Sequence, residues 1–504
     1  MTDVLVVGAG PAGLVAATVL AELGVAVRIV DRDAGPVEQS RAAIVHVRTL
    51  ELLDRIGVAE RAVAEGVRTT AVEVFERGRR IAGFPLVGRG SEGRTPFPFA
   101  LGLAQDRTER LLVERLGQLG VRVEWDTELI GLHRVPSGVR AVVRGAEPIE
   151  ARWVVGADGA SSSVRRALGI GFAGRTYDQA GVLADVRLDG DPPADGTIRL
   201  HLTPGGFVGL FRLGPDRHRV FGALPRGLAP AGTEISHEPY GDVPEDRLRR
   251  WCAEVAGTAV RDVHWSALFR VHSRLAERFR SGPVFLAGDA AHIHSPAGGQ
   301  GMNLAIGDAV NLAWKLGLVA RGEAHERLLD SYEAERMPVA VTVLRGADRG
   351  FALETAAHPA AVWGRAHLAG RAITFAQRLP PVRHAVFRLF SQTWITYRDN
   401  PATGGVRAGG RAPCGGPRAG LRHHLLVFGD PAAGWAVEAA LDAYAVPVSV
   451  EVVPAGEHGL RRQYRARPPW LVLVRPDGHI GYAGPADDLD ALTAHLDRIF
   501  VRRS

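Results

Sequence analysis

The chain has 504 residues, enough for about three domains at roughly 150 residues each. Its 46% hydrophobic and 23% charged content is ordinary for a globular protein, and no run approaches the ~18 apolar residues of a membrane helix. The formal charge of +6 comes from scattered arginines, with Lys315 the one lysine, and Cys252 and Cys414 are the only cysteines; nucleic-acid binding, a disulfide framework and a Cys-rich metal centre are therefore not expected.

Thr2 and Asp3 stand where a signal peptide would carry basic residues, which predicts a cytoplasmic protein. The stretch "DVLVVGAGPAGLVAATVLAELGVAVRIVDRD" then reads as strand, glycine turn, helix, strand. Val4 to Val7 form an unbroken apolar run, expected of a strand buried on both faces. Gly8, Gly10 and Gly13 complete G-x-G-x-x-G at once after it. The first permits a tight turn, the second lets a pyrophosphate approach the backbone, and the third lets the helix pack on the sheet. Asp31 closes the second strand, at the distance suited to an adenosine ribose hydroxyl.

The motif alone does not separate FAD from NAD. Two later strand ends favour FAD: "ARWVVGADGASSSVRRALG" ends a strand in Gly156, Asp158 and Gly159, and "GPVFLAGDAAH" ends one in Gly288 and Asp289. A carboxylate beside a close-approach glycine can accept hydrogen bonds from a polyol chain, which FAD has as ribitol. Between them, residues 176–275 carry strand-like runs with Phe207, Leu210, Phe211, Phe221 and Trp265 available to line a pocket for a flat substrate. Arg212 and Arg270 are candidates for its polar edge, although ordinary sheet core and solvent exposure are the plainer fates of all these residues.

"HIHSPAGGQGMN" follows Asp289 and raises a metal reading for His292 and His294. A strand-end pair needs further ligands nearby, and the neighbouring acids are Asp289 and Asp308. The favoured reading is a loop shaped around a flavin ring, with Pro296 fixing the backbone and no metal. The long helix after Gly299 would then aim its N-terminal amides at the ring's pyrimidine edge, where reduction places negative charge. Further on, Leu328 to Leu344 and residues 345–397 read as helical, and a Gly/Pro/Ala linker runs from Asp399 to Gly420. Alternating strands and helices follow, with a turn at Asp477–Gly478.

Over about residues 1–345 these motifs resemble the class A flavoprotein monooxygenases, single-component aromatic hydroxylases of the para-hydroxybenzoate hydroxylase fold. The likeness is greatest to actinomycete hydroxylases that tailor aromatic polyketides. The resemblance implies an α/β, Rossmann-like FAD-binding domain (1–75, 101–175 and 276–345). It also implies an antiparallel substrate-binding domain (76–100 and 176–275), a helical segment (346–400) and a thioredoxin-like domain (401–504). That last domain has no C-x-x-C, so a structural role is expected for it.

Carried over by motif, the resemblance assigns Gly8, Gly10, Pro11, Ala12 and Gly13 to the pyrophosphate and Asp31 and Arg32 to the ribose end. Arg41 of "SRAAIVHVRTLELL" and Gln105 of "LAQDRTERLL" lie near the cofactor, and Leu129 offers the adenine a backbone contact. Asp158 belongs to a motif linked to FAD and pyridine nucleotide alike, and Gly288 and Asp289 to the ribitol. Pro296, Gly299, Gly301, Met302 and Asn303 surround the ring.

The implied reaction is a cycle in which NADPH or NADH docks transiently, reduces FAD and leaves. Dioxygen then forms a flavin C4a-hydroperoxide that attacks an electron-rich, polycyclic phenol; no side chain is assigned a catalytic role. Baeyer–Villiger or epoxidising chemistry, or an FAD-dependent reductase without oxygen insertion, are the alternatives, and a homo-oligomer is left open. A single G-x-G-x-x-G argues against the two-dinucleotide flavoproteins. Halogenation would need an active-site lysine and a W-x-W-x-I-P stretch, which the chain lacks; Lys315 lies far along the helix.

Overall fold

Strand Thr2–Val7 lies in the middle of an eight-stranded sheet, which is why its apolar run has no polar alternation. The computed structural model describes residues 2–36, 41–86, 95–189, 192–225, 243–376, 378–398, 400–413, 420–454 and 456–503. Strands Val284–Leu286, Ile149–Gly156, Thr2–Val7 and Val27–Val30 run side by side and parallel. Val7 pairs with Gly156 and Gly156 with Leu286, so the three loop motifs leave the sheet at one level. The ladder continues into the loops: Gly8 N–H donates to Val30 O at 2.8 Å, Ala157 to Val7 O at 2.8 Å and Ala287 to Gly156 O at 2.9 Å. In open α/β sheets, the carboxyl ends of such strands form the ligand crevice.

The second sheet is also eight-stranded, with order His292–Ile293, Ala259–Ala276, Phe172–Asp189, Arg217–Leu224, Gly206–Gly214, Thr197–Thr203, Ala71–Glu76, Arg79–Pro85. Its strand Ala71–Glu76 runs across the expected boundary at residue 75, and the His292–Ile293 piece lies beyond the one at 275. Side chains alternate between its faces with period two. Val182, Ala184, Val208, Leu210 and Val220 pack on Leu248, Trp251 and Cys252 of helix Glu245–Ala256. Leu210, expected in the substrate pocket, is thus on the wrong face: its neighbour Phe211 points to the cavity, and strand parity turns Leu210 away. Cys252 is buried there, and burial pushes its thiol up to about 12. Cys414 lies outside the described residues.

The C-terminal strands form a five-stranded sheet of order Gly404–Gly405, Ile480–Pro485, Trp470–Val474, His423–Phe428, Val448–Val453. Its turn at Asp477–Gly478 enters a buried charged cluster beneath helix Gly301–Ala320. Lys315 Nζ donates to Glu335 at 2.9 Å, and Arg475 donates to both Glu335 oxygens at 2.6 and 2.8 Å and to Asp477 at 2.5 Å. Arg48 donates to the Asp477 carbonyl. Among the described residues no helix is long and apolar enough to cross a membrane.

Burial opposes ionisation of Glu335, yet Arg475 and Lys315 hold its pKa at about 2 against the usual 4.5. The carboxylate therefore adds stability that is present above pH 4.5 and lost as pH falls through about 2. Glu335→Gln leaves two buried cations short of their counter-charge and is expected to cost about 3–5 kcal/mol near neutral pH. Urea midpoints followed from pH 7 to 2 check this, with the gap between wild type and variant closing over the acid range.

Candidate active site

A single continuous cavity of about 850 Å³ runs from the first glycine loop to the face of the second sheet. Gly8, Gly10, Pro11, Ala12, Asp31, Arg32, Arg41, Gln105, Leu129, Asp158, Asp289, Pro296, Gly299, Gly301 and Met302 all border it. The sequence-predicted residues are therefore brought together from seven separate segments. Gly13, Gly288 and Asn303 form no part of the wall and act from behind it.

The glycines divide by what surrounds them. A Cβ on Gly13 would lie 1.8 Å from the Gly8 carbonyl oxygen, so this position is required by the packing of helix on strand. Gly8, at φ +103°, is pressed by the second loop: its Cβ would sit 2.4 Å from the Ala157 carbonyl oxygen. A Cβ on Gly10 would meet nothing within 4 Å and project from a residue of the cavity wall. That open cradle fits a pyrophosphate. Asp31 accepts from Ala9 N–H at 2.5 Å and Asp33 N–H at 2.9 Å, and burial raises its pKa.

Asp158 is largely committed to the protein. It accepts from Ser162 Oγ at 2.5 Å and from the amides of Ser163 and Val164 at 2.7 and 3.1 Å, at the start of helix Ser163–Ala167, whose N-cap is Ser162. This shapes the loop that packs on Gly8, a function the motif's spacing does not disclose. Gln105 is likewise engaged, accepting from Ala42 N–H at 3.0 Å and donating to Glu109 at 2.8 Å. Burial raises Glu109 to about 7; it borders the cavity but was not singled out in the sequence, where it reads as one more acid of a helix.

The two histidines are separated by role. His292 Nε2 lies 2.6 Å from Asp308, which also accepts from Arg336 Nε at 2.6 Å and Gly288 N–H at 3.1 Å. Burial opposes the charge of Asp308, and Arg336 with His292 keeps its pKa below the usual range. His294 borders the cavity, and burial lowers its pKa to about 4. Among the described residues, no three His, Cys, Asp or Glu side chains are grouped to hold a metal ion. Asp289 is open to the cavity yet deep in the fold, and burial raises its pKa.

Asn303, expected to meet the ring with its backbone, commits its side chain to strand Ile44–Val45. Its Oδ1 accepts from His46 N–H at 2.7 Å, and its Nδ2 donates to Ile44 O and Gly299 O, both at 2.8 Å. His46, unremarked in the sequence, sits within 3.1 and 3.2 Å of the Gly298 and Gly299 carbonyls. Burial lowers its pKa to about 4, so the ring is neutral and its Nε2–H donates. Gly301 and Met302 at the start of helix Gly301–Ala320 border the cavity, and no side chain caps that end.

Phe207, Phe211 and Phe221 line the sheet side, joined by Phe269, which period-two counting from Trp265 would have placed there. Two of these rings lie flat over glycines of neighbouring strands. A Cβ on Gly209 would be 2.1 Å from Phe221, and one on Gly181 2.4 Å from Phe269. Arg270 borders the cavity. Arg212 does not: it pairs with Asp195 and with the carbonyls of Gly214 and Pro215 at the sheet edge. Trp265 donates to Asp185 at 2.9 Å and is outside the cavity wall.

A family model described as an FAD binding domain matches residues 1–347, and one described as the C-terminal part of aromatic-ring hydroxylases matches 418–502. The chain belongs to the class A flavoprotein monooxygenases. It is an FAD-dependent monooxygenase, with the α/β fold class expected of that family. The 6-methylpretetramide 4-monooxygenase of Streptomyces rimosus is 36% identical over 547 residues, covering 99% of this chain and 94% of the relative. Anhydrotetracycline hydroxylase OxyS from Streptomyces rimosus superposes with a TM-score of 0.76 at 31% identity, covering 99% of both chains. A ternary complex of aklavinone-11 hydroxylase with FAD and aklavinone gives 0.77 at 28%, covering 99% of this chain and 98% of that one.

The contrast between the two glycines can be measured. Gly13→Ala is expected to lower the melting temperature of flavin-free protein, because its methyl meets backbone. Gly10→Val is expected to leave that temperature within a degree or two while abolishing retention of the yellow cofactor, read from flavin absorbance after gel filtration.

Proposed function

We propose that this monooxygenase hydroxylates a polycyclic, phenolic, polyketide-type aromatic, consuming NADPH or NADH and dioxygen. The observation that carries this is the continuity of one cavity, from the loops at the strand ends to the phenylalanine-lined face of the second sheet. Relatives named for 6-methylpretetramide, anhydrotetracycline and aklavinone support a substrate of that class.

In this reading Gly10, Pro11 and Ala12 receive the pyrophosphate on the amides that open helix Pro11–Glu22. Asp31 and Arg32 serve the ribose and Leu129 the adenine, while Gly8 and Gly13 make the turn. Asp289 accepts from the ribitol, and Arg41 lies beside it. Gly288 carries Asp289 into place, and Asp158 orders the loop that backs the glycine turn. Gln105 steadies the Arg41–Ala42 backbone. Pro296, Gly299, Gly301 and Met302 border the ring, with Asn303 and His46 fastening the Gly299 peptide.

When bound, FAD accepts hydride from the nicotinamide and supplies the activated oxygen. The protein's own contribution is orientation and exclusion of water. Amides at Gly301 and Met302 favour negative charge on the ring edge. Phe221 and Phe269 offer ring faces to a fused-ring substrate, and Phe207 and Phe211, set edge-on to Phe221, bound that apolar surface. Leu210 has no part in it.

The reading is tested by incubating the protein with NADPH, labelled dioxygen and a panel of polyphenolic polyketides. Substrate should accelerate NADPH oxidation, and one labelled oxygen atom should enter the product. Substrate-dependent NADPH oxidation with no labelled oxygen in the product would leave a reductase. Asp289→Ala is expected to reduce flavin content at least several-fold; full and tight occupancy in that variant would remove the ribitol assignment.

A further inference from the structure

Helix Asp330–Glu354 runs along the cavity from the flavin loop. Ser295 of that loop donates to the Ala347 carbonyl at 3.1 Å, and the helix ends at Glu354, seven residues or about 10 Å further on. Gly350, Leu353 and Glu354 border the cavity there, together with Arg365, Gly370 and the apolar strands of Ala71–Glu76 and Arg79–Pro85.

Glu354 Oε2 is shut off from solvent and has no hydrogen-bond partner among the described residues. The nearest cation does not serve it. Arg365 gives its Nε and Nη2 to Glu76 Oε1 at 3.2 and 2.7 Å, and its Nη1 to the main-chain carbonyls of Leu353 and Glu354 at 2.7 and 3.2 Å. One buried guanidinium therefore faces two carboxyl groups and neutralises Glu76. Burial pushes Glu354 up to about 8, with Arg365 exerting a smaller opposite pull, so the group is an uncharged acid near neutral pH. The residue as a whole is part-buried: Oε2 is closed off behind the cavity wall, and Oε1, which is not closed off and has no protein partner among the described residues either, is the oxygen left to meet a ligand.

We propose that Glu354 anchors the substrate, its carboxylic acid donating a hydrogen bond to a carbonyl or phenolic oxygen on the ring furthest from the flavin loop. This rests on the cavity being the site of a polycyclic aromatic, as inferred above. Glu354 would be a positioning residue: it holds one end of the ring system while the other meets the flavin. Removing the donor buries an unpaired substrate oxygen, a loss of about tenfold in affinity. Deprotonation replaces the donor by a repelling carboxylate, so binding weakens as pH rises through about 8. Arg365 is the charged group facing it, and its side chain is paired with Glu76.

The probe is 1,8-dihydroxyanthraquinone, titrated into FAD-loaded protein and followed by the perturbation of flavin absorbance, with anthracene as the oxygen-free counterpart. Flavin content reports folding. Glu354→Leu is expected to weaken the quinone about tenfold and leave anthracene unchanged or tighter. Glu354→Gln keeps a donor, so it should bind the quinone within about twofold and lose the weakening between pH 7 and 9 that wild type shows. Equal quinone affinity in wild type and Glu354→Leu, or equal losses for both probes, overturns the proposal and leaves the monooxygenase reading standing. Wild type binding neither ring system would remove the polycyclic reading and this inference with it.

Discussion

One carboxylate holds the architecture of the site together. Asp308 lies on helix Gly301–Ala320, which is buried almost all round, and receives Gly288 N–H, His292 and Arg336 at 2.6 to 3.1 Å. Gly288 belongs to the third strand-end loop, His292 begins the strand that crosses into the second sheet, and Arg336 lies on helix Asp330–Glu354. A charge buried without these donors would be intolerable, so each donor's element is obliged to stay in place. The loop that carries Asp289, the passage between the sheets and the helix aimed at the cavity are therefore positioned by the same anion. His292 is present here as a hydrogen-bonding link to Asp308.

The same helix continues the pattern along its length. Asn311 and Lys315, buried further on, meet Glu335, which in turn holds Arg475 of the C-terminal sheet. Arg336 reaches Tyr397 at 2.8 Å, and the Tyr397 ring lies 4.3 Å from that of His479. The C-terminal sheet lacks the paired cysteines of a redox domain, yet its Arg475–His479 turn shares the charge balance of the helix that faces the cavity. Its place in the fold is that of a brace. A hydrophobic contact there could slide; fixed donors and acceptors in a dry interior admit one register.

How much of this was legible in the sequence follows from what is encoded locally. The glycine turn, the apolar strands and the two later strand-end aspartates lie within short windows, and parallel neighbours bring them to one level. Pairing across hundreds of residues is not so encoded. His46 and Asn303 fasten one another only because strand Ile44–Val45 passes the start of a helix over 250 residues later. Asp158 was legible as part of a loop motif, but its commitment to the amides of Ser163 and Val164 was not. Leu210 shows a different failing. The aromatic run was recognised, but one residue of parity decides which face of a sheet a side chain occupies, and Leu210 took the covered one. Glu354 stood in a stretch read only as helical, and nothing local distinguishes a helix-end glutamate in water from one in a cavity wall.

The two ends of the cavity are built by different means, and this has a consequence for the family. Toward the strand ends the wall joins small residues, Gly8, Ala9, Gly10, Ala12, Ala157 and Gly159 among them, to polar side chains such as Asp31 and Asp289, all carried on loops held by a few buried anchors. Toward the second sheet it is side chains, Phe207, Phe211, Phe221 and Phe269 among them, set on strands whose glycines let rings lie flat. A site set by the course of its loops depends on Gly8, Gly13 and the Asp308 cluster, which fix that course. A side-chain wall changes shape with each substitution, at little cost to the sheet beneath. One chemistry can thus be kept while the molecule presented to it is exchanged, and the residues that distinguish members should be sought on the sheet face and at the end of helix Asp330–Glu354, where the wall is made of replaceable parts.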